Sequence, residues 1–193
     1  IHDHFGTDNT EMLQQYINHK ISDDEFVKAD IKLWNSKSDR VVNEEYINLI
    51  LDKAKPRRGA GELIKSLHNA KIKTMILSGG IQYLADKWAK KWDMDDALAN
   101  DLIDDENGNL IAKINSSGHN KGPMMEKLIE KYGYVKDEIA AIGDTVVDLP
   151  MFERAGLSIA VNTNDVNVIE KADYHLKSEN MNQLTKLIID WKS

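Results

Sequence analysis

The chain has 193 residues, enough for one substantial hydrophobic core with a small appended unit. Its net charge of −7, from 32 acidic and 25 basic side chains, argues against a nucleic-acid partner, and the absence of cysteine excludes disulfides and thiolate chemistry. No apolar run approaches the roughly 18 residues of a membrane span and no secretory signal is recognisable, so a soluble, cytoplasmic protein with no membrane partner is expected.

Residues up to about Lys55 read as helical. Met12, Leu13, Tyr16 and Ile17 form a helical stripe between Thr10 and His19. Ser22 and Glu25 make a capping box ahead of Phe26, Val27, Ile31 and Trp34. Asn43 caps a third helix carrying Tyr46, Ile47, Ile50 and Leu51. Residues 1–55 therefore read as a small all-helical domain. Pro56-Arg57-Arg58-Gly59-Ala60-Gly61 marks a junction, and residues 56–193 read as a second domain in which helix and strand alternate.

In that second part, Glu62 to Asn69 reads as helix. Ile72 to Leu77 reads as a buried strand ending in Ser78-Gly79-Gly80, and Ile81 to Trp92 as an amphipathic helix. Ala99 to Ile103 and Leu110 to Ile114 flank Asn107-Gly108, a strong hairpin signal. A helix then opens at Lys121, followed by a strand from Ile139 to Ile142 and a short helix from Asp148. Strand Leu157 to Val161, a helix near Val166, a short strand Tyr174 to Leu176 and a final helix Gln183 to Trp191 close the chain. Strands separated by helices imply an α/β fold, a doubly wound parallel sheet with a Rossmann-like core and helices on both faces.

Chemistry concentrates at the strand ends. The run Ile139 to Ile142 ends at Gly143, and two carboxylates follow as Asp144 and Asp148. The C-terminal ends of strands in an open parallel sheet are where ligands bind, and hard carboxylate oxygens suit Mg²⁺. Both aspartates could instead be helix caps, Asp148 most readily because Leu149-Pro150 follows it. Ser78 alone reads as a turn residue; Gly79 and Gly80 add backbone amides that can approach an anion. Lys121 alone reads as a surface lysine, yet a cation at a helix start runs against the helix dipole and hints at a negative group opposite. His2-Asp3-His4 looks like a metal cluster but points its side chains in different directions. Trp88 and Trp92, Met124-Met125 and Met151-Phe152 read as core; Trp34 could cover a substrate pocket but reads more simply as a buried residue of the helical region.

Taken in order, Ser78-Gly79-Gly80, Lys121-Gly122 and Gly143-Asp144-Thr145-Val146-Val147-Asp148-Leu149-Pro150-Met151-Phe152, with Ala155-Gly156-Leu157, resemble the second, third and fourth motifs of the haloacid-dehalogenase-like superfamily. The nearest likeness within it is the phosphoserine phosphatase group. The resemblance implies that the early helices are a small helical cap. It implies a Mg²⁺-dependent phosphomonoester hydrolase acting through an aspartyl-phosphate on a small phosphorylated metabolite. Ser78 and the amides of Gly79 and Gly80 would hold the phosphoryl oxygens. Lys121 would neutralise charge, Asp144 would ligate Mg²⁺, and Asp148 would orient Lys121 or a water at the metal.

Two departures accompany the resemblance. The first motif, two aspartates and a threonine after an apolar strand, is not found, since Asp3 and Asp8 lack the strand and the spacing. The sequence is therefore expected to begin just downstream of that motif and of the first core strand, and a molecule that truly starts at Ile1 is expected to be inert as a phosphatase. Second, Val147 stands where the phosphoserine group has asparagine, and no arginine lies near Lys28 to Asp30, where the cap would grip a substrate carboxylate. Phosphomonoester hydrolysis is implied; phosphoserine itself is not. A phosphoacceptor signalling module and a catalytically silent interaction protein are the alternatives on the same architecture.

Overall fold

Residues 1–115 and 121–192 are described by the computed structural model, and they fall into two units. The first draws on residues 1–55, 78–88 and 97–115, the second on 56–77, 89–96 and 121–192.

In the first unit, α1 (His2–Phe5) is closed by Gly6 in the left-handed region, a short helix the sequence pattern did not announce. Helix α2 (Thr10–Ile17) follows the expected stripe. Helix α3 (Asp23–Lys37) starts at Ser22, whose hydroxyl accepts from the Glu25 amide while the Glu25 carboxylate accepts from the Ser22 amide, the expected capping box. Helix α4 (Glu44–Leu51) starts at Asn43, whose Oδ1 accepts from the Tyr46 amide at 2.9 Å. The expected hairpin also forms: Asp101 to Asp104 pair antiparallel with Leu110 to Lys113. Trp34, Val42, Ile47, Ile50 and Leu51 bury together with Leu102 and Leu110 of this hairpin.

Helix α5 (Ala60–Asn69) leads into β1 (Met75–Ile81), which starts three residues later than expected. The reason is local. Lys71 takes a left-handed φ of 58°, and the amides of Lys71 and Ile72 donate to the carbonyls of His68 and Leu67, so Ile72 closes the helix instead of opening a strand. The strand then runs on through Ser78-Gly79-Gly80, and α6 (Gln82–Trp92) begins one residue late. On α6 the buried positions are Ala85 and Ala89; the tryptophans expected in the core, Trp88 and Trp92, are only half-buried. Strands β2 (Asp96–Asp104) and β3 (Leu110–Lys113) complete a sheet in the order β1-β2-β3.

The second unit contains α7 (Gly122–Tyr132), β4 (Ala140–Gly143), α8 (Leu149–Phe152), β5 (Leu157–Val161), α9 (Val166–Lys171), β6 (Tyr174–Leu176) and α10 (Leu184–Lys192). Strands β4, β5 and β6 pair in parallel in that order. Every residue of β5 is buried, as a strand covered on both faces must be. Its side chains divide by the two-residue period of a strand. Leu157, Ile159 and Val161 pack with Leu63 and Leu67 of α5 and Leu184 and Ile188 of α10. Ala160, facing the other way, packs with Met125 of α7, Met151 and Phe152 of α8 and Val168 of α9. Helices thus cover both faces of a parallel sheet, the α/β architecture read from the sequence. Among the described residues no helix is long and apolar enough to cross a membrane.

Candidate active site

Strand β4 ends at Gly143, and the chain then tightens into a 3₁₀ turn over Val146–Asp148. This turn brings Asp148 back beneath the strand end. A Cβ at Gly143 would lie 2.5 Å from the Asp148 Cβ and Cγ, so glycine is required there by close approach. The Asp148 Oδ2 accepts hydrogen bonds from the amides of Asp144 at 2.9 Å and Thr145 at 3.1 Å, and from the Thr145 hydroxyl at 3.3 Å. The alternative reading of Asp148 as the cap of α8 is not what forms: its side chain makes no cap bond to that helix.

Its other oxygen, Oδ1, accepts from Lys121 Nζ at 2.5 Å. Lys121 occupies the N-cap position of α7, with Pro123 in the first turn and Gly122, Met124 and Met125 buried behind it. The negative group that a lysine at a helix start calls for is Asp148. Only 13% of the lysine side chain and 3% of the aspartate side chain reach solvent. A pair taken this far out of water holds only because both charges are matched and the remaining carboxylate lone pairs are filled by amides.

Asp144 is placed differently. Its side chain is 46% exposed, and Oδ2 accepts from Arg57 Nη2 at 3.3 Å, the arginine itself being 55% exposed. Arg57 lies in the segment that the sequence marks as a junction, and the pairing of residues 87 positions apart left no trace in the sequence pattern. The structure thus brings Lys121, Asp144 and Asp148 together in the second unit and adds Arg57, Gly143 and Thr145 to them.

Ser78, Gly79 and Gly80 lie within β1 and belong to the first unit. Ser78 Oγ accepts from the Gly80 amide at 3.0 Å, so that amide already has an acceptor. The Gly79 carbonyl accepts from Asn100 Nδ2 at 2.9 Å, and Asn100 Oδ1 accepts from the Asn115 amide at 2.8 Å. This is a braced hydroxyl-and-glycine stretch of β1.

The other marked residues are accounted for locally. His2 is within hydrogen-bond reach of the Thr7 hydroxyl and Asp30, and His4 of the Tyr46 hydroxyl. Asp8 accepts from the amide and hydroxyl of Thr10. Lys28 is exposed and pairs with Asp24 one turn earlier at 2.6 Å. Among the described residues no three His, Cys, Asp or Glu side chains cluster as metal ligands. A cleft of about 410 Å³ in the first unit, lined by Glu44, Glu45, Asn48, Leu49, Asp52, Tyr83 and Asp104, contains none of the site residues read from the sequence.

Comparison with known proteins bears on this geometry. Residues 2–156 match the family model of the haloacid dehalogenase-like hydrolases. The chain is 33% identical over 147 residues to the phosphoserine phosphatase of Archaeoglobus fulgidus, a match covering 75% of this chain and 42% of the relative. It is 30% identical over 147 residues to that of Methanocaldococcus jannaschii, covering 75% of this chain and 69% of the relative. The chain therefore spans less than half the length of one of these relatives and about two thirds of the other. Among solved structures, a phospho-aspartyl intermediate analogue of phosphoserine phosphatase superposes with a TM-score of 0.76 at 25% identity, covering 93% of this chain and 84% of that one.

Proposed function

Because this chain belongs to the haloacid dehalogenase-like hydrolase family, we propose that it serves a phosphatase that hydrolyses a small phosphomonoester through an aspartyl-phosphate. The observation that carries the reading is the buried Lys121–Asp148 pair beside Asp144 at the C-terminal end of a parallel strand. Phosphoryl transfer is dominated by positioning and by stabilisation of charge on the phosphoryl oxygens. Lys121 offers a cation whose ammonium is held at one point by Asp148 and keeps two further protons for anionic oxygens. Asp148, filled by two amides, a hydroxyl and the ammonium, has the role of fixing Lys121 and the turn that presents Asp144. For Ser78 and the Gly79 and Gly80 backbone in the first unit, the resemblance suggests a part in holding phosphoryl oxygens.

The donor set fits Mg²⁺ in a restricted way. Mg²⁺ is commonly held by one or two carboxylates, with waters and substrate phosphate completing the shell. Asp144 is a half-exposed hard oxygen donor of this kind, whereas both oxygens of Asp148 are already engaged. Bound at Asp144, Mg²⁺ would supply positive charge to the phosphoryl group. None of the aspartates in residues 1–193 is assigned to the attack itself.

Phosphoserine heads the substrate panel because the relatives above are phosphoserine phosphatases; Val147 and the pairing of Lys28 with Asp24 keep the proposal at the level of a small phosphorylated metabolite. The test is phosphate release from phosphoserine and from an aryl phosphate, with and without Mg²⁺, using the gene product with any residues that precede Ile1. Metal-dependent release that disappears in Asp144→Asn, with the fold intact by circular dichroism, is the expected result. Release that persists undiminished in that variant refutes the metal assignment, and no release from either substrate refutes the phosphatase reading for those esters.

A further inference from the structure

The two aspartates of the turn after β4 each face one cation, and the two cations are held in different ways. Lys121 is buried against Asp148. Arg57 meets Asp144 with a single hydrogen bond at 3.3 Å, both side chains being about half exposed. The backbone that delivers Arg57 is nonetheless fixed. The Arg57 carbonyl accepts from the Ala60 amide at 3.2 Å, and the Arg58 carbonyl accepts from the Met181 amide at 2.8 Å. Gly59 between them and α5 sits at φ 78°, and a Cβ there would meet the Asn180 Oδ1 at 1.8 Å. A loop held by backbone hydrogen bonds therefore presents a half-exposed guanidinium to Asp144.

We infer that Arg57 is an internal competitor for the cation site at Asp144: its guanidinium neutralises the carboxylate in the metal-free protein and opposes a divalent cation that binds there. The inference rests on Asp144 being the metal anchor proposed above. Mg²⁺ on Oδ2 would displace the guanidinium, and Mg²⁺ on Oδ1 would still lie within a few ångströms of it across the same carboxylate, so the two positive charges oppose each other either way. The exchange is easy because the pair is exposed, single-bonded and screened by salt, so its strength falls in the lowest range of ion pairs. Arg57 thereby sets how much free Mg²⁺ is needed to load the site, and it removes the charge cost of Asp144 when the site is empty.

Isothermal titration of the full protein with MgCl₂ tests this, with Arg57→Gln, Arg57→Lys and Asp144→Asn beside the parent. Arg57→Gln is expected to bind Mg²⁺ more tightly, by up to about fivefold, the ceiling for an exposed pair. Arg57→Lys keeps the charge and is expected to stay near the parent. The gain in Arg57→Gln is expected to shrink as KCl is raised, because salt already weakens the competitor. If the parent takes up Mg²⁺ through Asp144 and Arg57→Gln binds it equally or less well, the competitor role is overturned while the metal assignment stands. If neither the parent nor Arg57→Gln shows uptake that Asp144→Asn abolishes, the metal assignment fails and the competitor role falls with it.

Discussion

Asp148 in the second unit and Asp30 in the first are both buried, and their surroundings are built on opposite plans. Asp148 faces an ammonium, two backbone amides and a hydroxyl. Asp30 is approached through Oδ1 by the His2 ring at 3.1 Å and by the Asn9 side-chain amide. The cluster around Asp30 is also incompletely matched: Asn9 Oδ1 and the Trp34 indole N–H have no hydrogen-bond partner among the described residues. Burial pushes the Asp30 carboxyl above its ordinary value, while the charge and hydrogen bond of His2 and the bond from Asn9 pull it back only in part. One carboxylate is thus held by an ammonium and by backbone amides; the other is met by an imidazole and a side-chain amide. The phosphoryl site proposed above calls for the first plan, and a helical interior can tolerate the second.

The comparison is broken most severely by removing the Lys121 ammonium. Lys121→Met keeps the length and apolar stem of the side chain but leaves Asp148 buried with only its amide and hydroxyl donors. Breaking a buried pair from one side costs about 3–5 kcal/mol, and urea unfolding should show a loss of that order. A loss under about 1 kcal/mol, the range of exposed pairs, would mean that the lysine is not holding a desolvated charge.

A smaller effect is expected from steric pressure on the same aspartate. Gly143→Ala would place a Cβ 2.5 Å from the Asp148 Cβ, Cγ and Oδ2, and the neighbour is tied down by three donors and a lysine, so it cannot swing away. Overpacking of this kind costs about 1–3 kcal/mol. If the alanine variant unfolds at the parent's urea midpoint with Lys121 still protected, the turn is looser than its hydrogen bonds indicate.

The sequence made parts of this arrangement legible and hid others for physical reasons. The Ser22–Glu25 capping box, the Asn43 cap and the Asn107-Gly108 hairpin are local, so residue type and spacing were enough to find them. Strand β5 was legible because a strand buried on both faces reads as an uninterrupted apolar run. Lys121, Asp144 and Asp148 stood out as charges at element boundaries, but what each touches depends on tertiary approach. Asp148 turning back onto the Asp144 and Thr145 amides, and not onto α8, follows from the space left by Gly143. The start of β1 was displaced because helix closure by Lys71 and Ile72 took precedence over the strand preference of isoleucine. Arg57 read as punctuation because nothing near it in the chain announces Asp144.

The gentlest test acts on Asp30 and reads a slope instead of a loss. The native carboxyl holds its proton more tightly than in the unfolded chain, whose value lies near 3.8. Its stabilising contribution is therefore complete below pH 3.8 and is lost as pH rises through the native value. Asp30→Asn cannot titrate, so the variant's stability relative to the parent should improve as pH climbs from below 3.8 toward neutrality. In a His2→Gln background the larger of the two charges that draw the carboxyl down is gone, only the N-terminal ammonium remaining, and the same improvement should be larger. Asp173 supplies a control of opposite sign. Hydrogen bonds from the Ser158 hydroxyl and amide lower its carboxyl, so its contribution is present above 3.8 and lost as pH falls through the lowered native value. Asp173→Asn should accordingly lose ground to the parent as pH rises from the lowered native value to 3.8, just below the window in which Asp30→Asn gains it. Chemical denaturation at a series of pH values reads both differences against one parent curve. Slopes of the same sign for the two variants would show that burial does not outweigh the His2 and Asn9 contacts at Asp30, and the contrast between the two buried aspartates would then rest on geometry alone.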